Sequence, residues 1–166
     1  MFISKTNNII TFILFVCSFS LFSQNNSYQF KTINTNNGLS NNSVTCIYKS
    51  RFGFVWIGTT DGLNRYDGYT FVVYKHDPSD SNSISDNFIS GIVEDFDGNL
   101  WIGTQGGGLN KYDPCSNKFY SFYHSDVDNN SLPSNFIFHH NAMFLDSDTI
   151  LWIGTDHGLC NYIINR

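Results

Sequence analysis

The sequence predicts an all-β protein assembled from repeated four-stranded antiparallel units. Aromatic residues make up 17% of the 166 residues and charged residues only 14%, against about 25% charged residues in an average soluble domain. Asn and Ser supply much of the polarity instead, and both residues favour turns over helix interiors. The apolar runs between these turns are short and rich in aromatic and β-branched residues, as expected of strands.

A tryptophan motif recurs three times along the chain. Trp-Ile-Gly-Thr begins at Trp56, Trp101 and Trp152, so that the tryptophans are 45 and 51 residues apart. A period of about 40–50 residues holding four short strands is typical of a propeller blade. We therefore predict a partial β-propeller with two complete blades and most of a third. The repeat positions expected to have structural roles are Trp56, Gly58, Leu63, Tyr66, Trp101, Gly103, Leu109, Tyr112, Trp152, Gly154, Leu159 and Tyr162.

Each strand of the first unit has its own sequence signal. Val44 to Lys49 is a β-rich run, and the tryptophan strand that follows is apolar at nearly every position, which favours burial on both faces. Leu63 to Tyr66 and Thr70 to Tyr74 complete the unit, separated by an Asp-Gly turn. In the second unit, Asp97-Gly98 predicts a two-residue hairpin between the first two strands.

The chain is expected to begin with an exported leader. Lys5 precedes an apolar stretch from Ile9 to Phe22 that is shorter than the ~20 residues of a spanning helix. This pattern predicts a secretory signal peptide, with an uncleaved anchor as the alternative. The predicted division is a signal peptide (1–23), a lead-in segment (24–37), blade 1 (38–82), blade 2 (83–130) and an incomplete blade 3 (131–166).

Three cysteines remain once the signal peptide is removed. Cys46, Cys115 and Cys160 are an odd number and cannot form a complete disulfide framework, and no two of them have the CxxC spacing of a zinc site. We expect them to pack as small hydrophobic side chains, with one disulfide as the alternative.

Composition and motifs exclude several classes of function. The net charge of −5 argues against a nucleic-acid groove, which needs clustered cations. Gly106-Gly107-Gly108 lacks the following helix and the Lys-Ser/Thr of a phosphate loop and is interpreted as a turn. Adjacent His139 and His140 point to opposite faces of a strand and do not form a metal site by themselves. Because the carboxylates are nearly all turn aspartates, we assign no catalytic residue, metal or cofactor, and we expect this chain not to be an enzyme.

The second unit resembles a known repeat. Its strings Asp97 to Thr104 and Gly106 to Asp113 are similar to the two-component regulator propeller repeat, and the likeness runs from Gly38 to the end of the chain. The resemblance implies a periplasmic sensor of a Bacteroidetes-type hybrid two-component system, with two seven-bladed propellers followed by a β-sandwich, a transmembrane helix and a histidine kinase. It also implies glycan fragments as the signal and polysaccharide-utilisation genes as the output.

Candidate ligand-binding residues lie in the loops that vary between the three units. In propellers, the loop between the second and third strands opens on the same face as the linker between blades. Asp61, Gln105, Asp156 and His157 occupy these loops, with linkers at His76 to Ser83 and His124 to Pro133. Their amide, carboxylate and imidazole groups suit a hydroxyl-rich ligand such as an oligosaccharide. The alternative is that they are ordinary solvated loop residues.

Two classes of function remain open from sequence alone. The first is the N-terminal part of a sensor ectodomain, whose partners are further blades and sensor domains of a parent protein, an oligosaccharide and a second copy of the parent, with no nucleic acid. The second is a secreted binding or adhesion propeller, or a truncated product. Residues 24–166 alone are expected not to form a monodisperse, cooperatively folded monomer, because each blade buries its faces only against neighbouring blades. Light scattering and calorimetry test this expectation.

Overall fold

A computed structural model describes residues 28–138, 141–146 and 149–164. The chain divides into two units, Met1–Thr32 and Ile33–Arg166. Residues 28–32 of the first unit have no regular secondary structure. The predicted signal peptide lies outside the described residues. Within the described part, no helix has the length and apolarity needed to span a membrane.

The second unit consists of eleven described strands after one short 3-10 helix, Thr35–Asn37. The strands form three antiparallel sheets, which we call blades 1 to 3. The strands are β1 (Val44–Lys49), β2 (Val55–Thr59), β3 (Gly62–Tyr66), β4 (Phe71–Tyr74), β5 (Ile89–Glu94), β6 (Leu100–Thr104), β7 (Leu109–Asp113), β8 (Lys118–Phe122), β9 (Met143–Asp146), β10 (Ile150–Thr155) and β11 (Gly158–Ile163). Blade 1 has the strand order β1-β2-β3-β4, blade 2 has β5-β6-β7-β8, and blade 3 has β11-β10-β9. The prediction of an all-β fold with two four-stranded blades and part of a third is confirmed.

The hairpin between β5 and β6 differs from the two-residue hairpin predicted from Asp97-Gly98. The Gly98 N–H donates to the Asp95 carbonyl, and the Asp95 N–H donates to the Asn99 carbonyl. Gly98 has a φ of 87°, in the left-handed region. These bonds describe a three-residue connection that ends in a left-handed glycine. The Asp-Gly pair marks the turn correctly, but the glycine is the third loop residue.

Two hydrophobic clusters lie between successive blades. Blade 1 contributes Trp56 and Leu63 to the first cluster, where they meet residues of blade 2 that include Ile92 and Tyr112. Trp101 and Leu109 of blade 2 meet residues of blade 3 in the second cluster. The central strand β6 of blade 2 is buried at all five positions, as the apolar tryptophan strand predicts. Burial of both faces of the middle blade therefore supplies most of the core.

The outer faces of blades 1 and 3 have no neighbour in the described chain. Ile47 is 67% exposed, although its counterparts Ile92 and Met143 are 8% and 6% exposed. Leu159 is 68% exposed, whereas its counterparts Leu63 and Leu109 are buried. The same repeat position is therefore core or surface depending on whether a blade packs against it.

The cysteines differ from the expectation that all three pack as small hydrophobes. All three are free thiols; Cys46 and Cys160 are partly buried, but Cys115 is exposed. Cys115 lies in the turn between β7 and β8, where its N–H donates to the Asp113 carboxylate. This turn position leaves the Cys115 side chain exposed at the rim of the cleft between blades 1 and 2.

Candidate functional site

The predicted site residues lie at the end of the blades where the linkers run. Because the strands are antiparallel, the second strand of each blade ends at the same edge at which the next blade begins. We call this end of the blades the linker face and define it by loops 60–61, 105–107 and 156–157, together with the two linkers. His139 and His140, also considered in the sequence, lie outside the described residues.

Backbone hydrogen bonds hold each of these loops to a segment that leads into the first strand of a blade. The Gly62 N–H donates to the Asn87 carbonyl at 2.7 Å, and the Gln105 N–H donates to the Phe88 carbonyl at 3.0 Å. The Asp156 N–H donates to the Phe136 carbonyl at 3.3 Å. The loops are therefore held by the segments that lead into the first strands of blades 2 and 3.

Asp61 is paired with the linker of its own blade. Its carboxylate lies 2.7 Å from Lys75 Nζ, and both side chains are nearly half exposed. The Asp61 N–H donates to Thr59 Oγ1 at 3.1 Å. A ligand that binds here must share or displace a surface ion pair, whose strength in water is about 0–1 kcal/mol.

Gln105 and the following glycines form a tight turn against the linker. A Cβ atom on Gly107 would lie 2.5 Å from Ser85 Oγ, so only glycine fits this close approach. Ser85 Oγ donates to the Gly107 carbonyl at 2.7 Å. Gln105 is half-buried and forms an isolated β-bridge with Phe136. The loop leads directly into β7, as a turn would and a phosphate loop would not.

Asp156 and His157 form a pair within one loop of blade 3. His157 Nδ1 lies 2.9 Å from Asp156 Oδ1. Hydrogen bonds from Ser134 and then from His157 hold the pKa of the Asp156 carboxyl below its usual value. Asp156 also borders a cavity of about 570 Å³ with Phe138, Asn141 and Gly154. Gly154 is the counterpart of Gly58 and Gly103, which face the following blade, so this cavity opens on the side of blade 3 away from blade 2.

The three loops lie on the linker face, but their side chains do not bond to one another. Across the described residues, no hydrogen bond or ion pair connects the side chains of Asp61, Gln105 and His157 to one another. Nor does this part of the chain contain a group of three or more His, Cys, Asp or Glu side chains that could hold a metal ion. The arrangement offers separate polar contacts along an edge, which suits an extended polar ligand better than a compact ion.

Two asparagines that organise the linker face were not predicted from the sequence. Asn87 Oδ1 accepts from the His76 N–H at 2.8 Å, and Asn135 Oδ1 accepts from the His124 N–H at 2.7 Å. The rings of both histidines also bond backbone carbonyls eight residues on, at Ile84 and Leu132. The signal was available, because each asparagine ends the string that precedes the tryptophan motif.

Comparison with known proteins identifies the repeat. The sequence profile described as "Two component regulator propeller" matches residues 38–61, 83–106 and 131–157, one segment for each blade. Each of the three blades of this chain therefore contains a two-component regulator propeller repeat. Histidine kinase P4 of Formosa agariphila is 44% identical over 81 residues, which make up 47% of this chain and 6% of that protein.

Two solved structures have a similar fold. The extracellular domain of a hybrid two-component system from Bacteroides thetaiotaomicron is 29% identical, with a TM-score of 0.69 over 80% of this chain and 20% of that chain. PorZ, a surface component of the type-IX secretion system of Porphyromonas gingivalis, is 25% identical, with a TM-score of 0.56 over 72% of this chain and 17% of that chain. The regulator-propeller chain thus spans a small part of each relative. It has the fold of a sensor propeller of the two-component type.

Proposed function

We propose that this chain is the N-terminal part of a periplasmic, ligand-sensing propeller whose signal reaches a kinase outside the chain. The match of all three blades to regulator-propeller repeats carries the proposal. The likeness to an extracellular sensor domain and to a histidine kinase supports it. An exported leader at residues 1–23, a membrane anchor in the parent protein and packing of further blades on blades 1 and 3 belong to the same proposal.

The proposed ligand is a glycan fragment bound along the linker face, and the proposed output is control of polysaccharide utilisation. Asp61, Gln105, Asp156 and His157 would supply its polar contacts. The loops that carry them differ in sequence between blades, although the backbone bonds that hold them are alike. A repeated scaffold with different loop side chains can recognise an asymmetric ligand, whereas identical loops would present a symmetric surface.

The experiment is calorimetric titration of the intact protein with a panel of oligosaccharides. Asp61→Asn, Gln105→Ala and His157→Ala are expected to weaken binding by about tenfold each where the residue contacts the ligand. Asp97→Asn, in the turn at the opposite end of blade 2, is the matched control. Unchanged affinity in all three variants with unchanged folding would contradict binding at the linker face.

A second candidate is a secreted or surface-bound binding propeller without a kinase. The likeness to PorZ, a surface component of a secretion system, is the observation that favours it. The complete reading frame separates the two candidates. A transmembrane segment and a kinase after further repeats would support the sensor, and their absence from the complete gene would support the binding propeller.

A further inference from the structure

A cleft between blades 1 and 2 lies at the end of the blades opposite to the linker face. We propose that it binds a small molecule in which a carboxylate is attached to a ring. The cleft has a volume of about 460 Å³, and its lining includes Phe52, Phe54, Trp56, Arg65, Leu100 and Tyr112. This volume falls within the range of about 300–1,000 Å³ that is usual for small-molecule sites. All of its walls come from the two complete blades.

Blade 2 shows how the tryptophan of this motif binds a carboxylate. The buried indole N–H of Trp101 donates to Asp95 Oδ2 at 3.0 Å. Asp95 stands six residues before the tryptophan, and Asp146 stands six residues before Trp152. At the same offset before Trp56, blade 1 has Ser50. Blade 1 therefore lacks the carboxylate that receives the indole N–H in blade 2.

Ser50 does not replace that carboxylate. Its hydroxyl donates to the Phe54 carbonyl at 3.3 Å, and no residue of the described chain accepts a hydrogen bond from Trp56 Nε1. Among the described residues, the side-chain atoms that are fully buried and have no hydrogen-bond partner are Ser90 Oγ and Glu94 Oε1. Trp56 Nε1 is not one of them, so it keeps some exposed surface. Trp56 lines the cleft, so its N–H is a donor that a ligand oxygen can satisfy.

Arg65 adds a positive charge to the lining of the same cleft. It lies directly opposite Trp56 in the β2–β3 register, and its Cζ is 4.8 Å from the centre of the Phe54 ring. Within the described chain, no carboxylate lies within 4 Å of the Arg65 guanidinium, whereas Arg51 is paired with Glu94. The cleft therefore presents one indole N–H and one guanidinium whose charge no described carboxylate neutralises. A carboxylate oxygen can accept the indole N–H, and the negative charge and planar shape of the carboxylate suit the guanidinium.

The remaining walls suit a flat ring. Trp56 and Tyr112 close the floor of the cleft, with ring centres 5.1 Å apart and only 3% and 1% of their surfaces exposed. Phe52 forms an exposed lip that a ligand ring can contact. A Cβ atom on Gly98 would lie 2.7 Å from Phe52 Cε2, so the glycine leaves room for this ring. Aromatic walls bind planar rings and also the apolar faces of sugar rings. An aromatic acid and a sugar acid thus share the chemistry that this cleft recognises.

The test is calorimetric titration of the intact protein with phenylacetate and with glucuronate, and with the neutral probes phenylacetamide and glucose. Binding of either acid, with its neutral counterpart at least about tenfold weaker, supports the proposal and identifies the source of the carboxylate. Arg65→Gln is expected to weaken binding by about tenfold or more. Lys111→Gln changes the equivalent position of blade 2, where Asp95 already receives the indole N–H, and should leave the affinity unchanged.

Ser50→Asp is the decisive variant. It places an internal carboxylate where blade 2 has Asp95, so we expect it to abolish binding of the acid while the thermal midpoint stays unchanged or rises. If Ser50→Asp does not fold, Arg65→Gln decides, because its side chain is only half-buried. The proposal is wrong if neither acid binds at about 10 mM, if the neutral probes bind equally well, or if folded variants keep full affinity. Substitutions on the linker face should not affect this site, so the two proposals can fail separately.

Discussion

Ser85 and Asn110 exchange two hydrogen bonds across the start of blade 2. The Ser85 N–H donates to Asn110 Oδ1 at 3.0 Å, and Asn110 Nδ2 donates to Ser85 Oγ at 2.7 Å. Ser40 and Asn64 form the same pair in blade 1, with both distances at 2.8 Å. In blade 3 the two positions are Pro133 and Cys160. Proline has no N–H and cysteine has no amide, so both partners of the pair have changed together.

Asn110→Ala should destabilise the intact protein. Asn110 is fully buried, and its loss leaves the Ser85 N–H without its side-chain acceptor. We expect a decrease of about 1–3 kcal/mol in the free energy of unfolding, measured by urea denaturation. Cys160→Ala, at the same position of blade 3, is the control and should cost less. Equal costs would show that the reciprocal pair contributes nothing specific.

Glycines in the second strand of each blade report on whether a further blade packs there. A Cβ atom on Gly58 would lie 2.5 Å from Cys46 Sγ of the same blade and 2.7 Å from Ile89 Cγ2 of blade 2. One on Gly103 would lie 2.8 Å from Ile137 Cγ2, in the segment that leads into blade 3. Gly58→Ala and Gly103→Ala should therefore each cost about 1–3 kcal/mol through overpacking. At Gly154 the nearest atom, the Ala142 carbonyl oxygen, is 3.5 Å away.

Gly154→Ala tests whether a further blade packs on blade 3. If another blade packs on blade 3, as proposed, this variant should destabilise the intact protein as much as Gly58→Ala does. Thermal denaturation of the three variants in parallel gives the comparison. A neutral Gly154→Ala beside two costly variants would contradict packing of a fourth blade at this face.

The cysteines should differ in reactivity toward alkylating reagents. Burial raises the pKa of the Cys46 and Cys160 thiols, so a smaller fraction of each is thiolate at pH 8. Cys115 is exposed and should react first with iodoacetamide, as followed by peptide mass spectrometry. Raising the pH should accelerate the reaction of Cys46, and urea should remove the difference. Equal rates in the native protein would contradict this burial pattern.

The imidazole of His124 should titrate above its ordinary pKa of about 6.5. Bonding to the Leu132 carbonyl and then to the Asp126 carboxylate raises its pKa, and only the charged ring can donate to both. Its stabilising contribution is thus fully present below the unfolded pKa and is lost as the pH rises through the raised value. NMR titration should show a lower pKa in Asp126→Asn, with Asp128→Asn as the unchanged control.

The fold was largely predictable because the strand patterns recur in all three repeat units. The tryptophan strands and turns appear in all three units, so an error in one unit is corrected by the others. Cys115 could not be placed from composition, because its exposure depends on a turn at the blade edge. The three-residue form of the Asp97-Gly98 hairpin depends on the bonds of Asp95 and Asn99, which lie outside the Asp-Gly pair.

The candidate sites were less predictable than the fold. Loop positions on the linker face follow from topology, but the ion pair of Asp61 with Lys75 does not follow from the sequence. The cleft beside Trp56 was missed because it depends on a difference between repeats, Ser50 in place of Asp95, and not on their likeness. Its signal was the residue six positions before each tryptophan.

Asn87 and Asn135 each connect three parts of the chain on the linker face. The carbonyl of Asn87 accepts from the Gly62 N–H of blade 1, while its side chain holds the His76 N–H at the end of β4. Asn135 makes the corresponding bonds to Gly108 and His124, and its carbonyl also accepts from the Gly106 N–H. One residue thus ties the loop of a blade, its last strand and the beginning of the next blade. A displacement of one loop must therefore either break these bonds or move the beginning of the following blade with it.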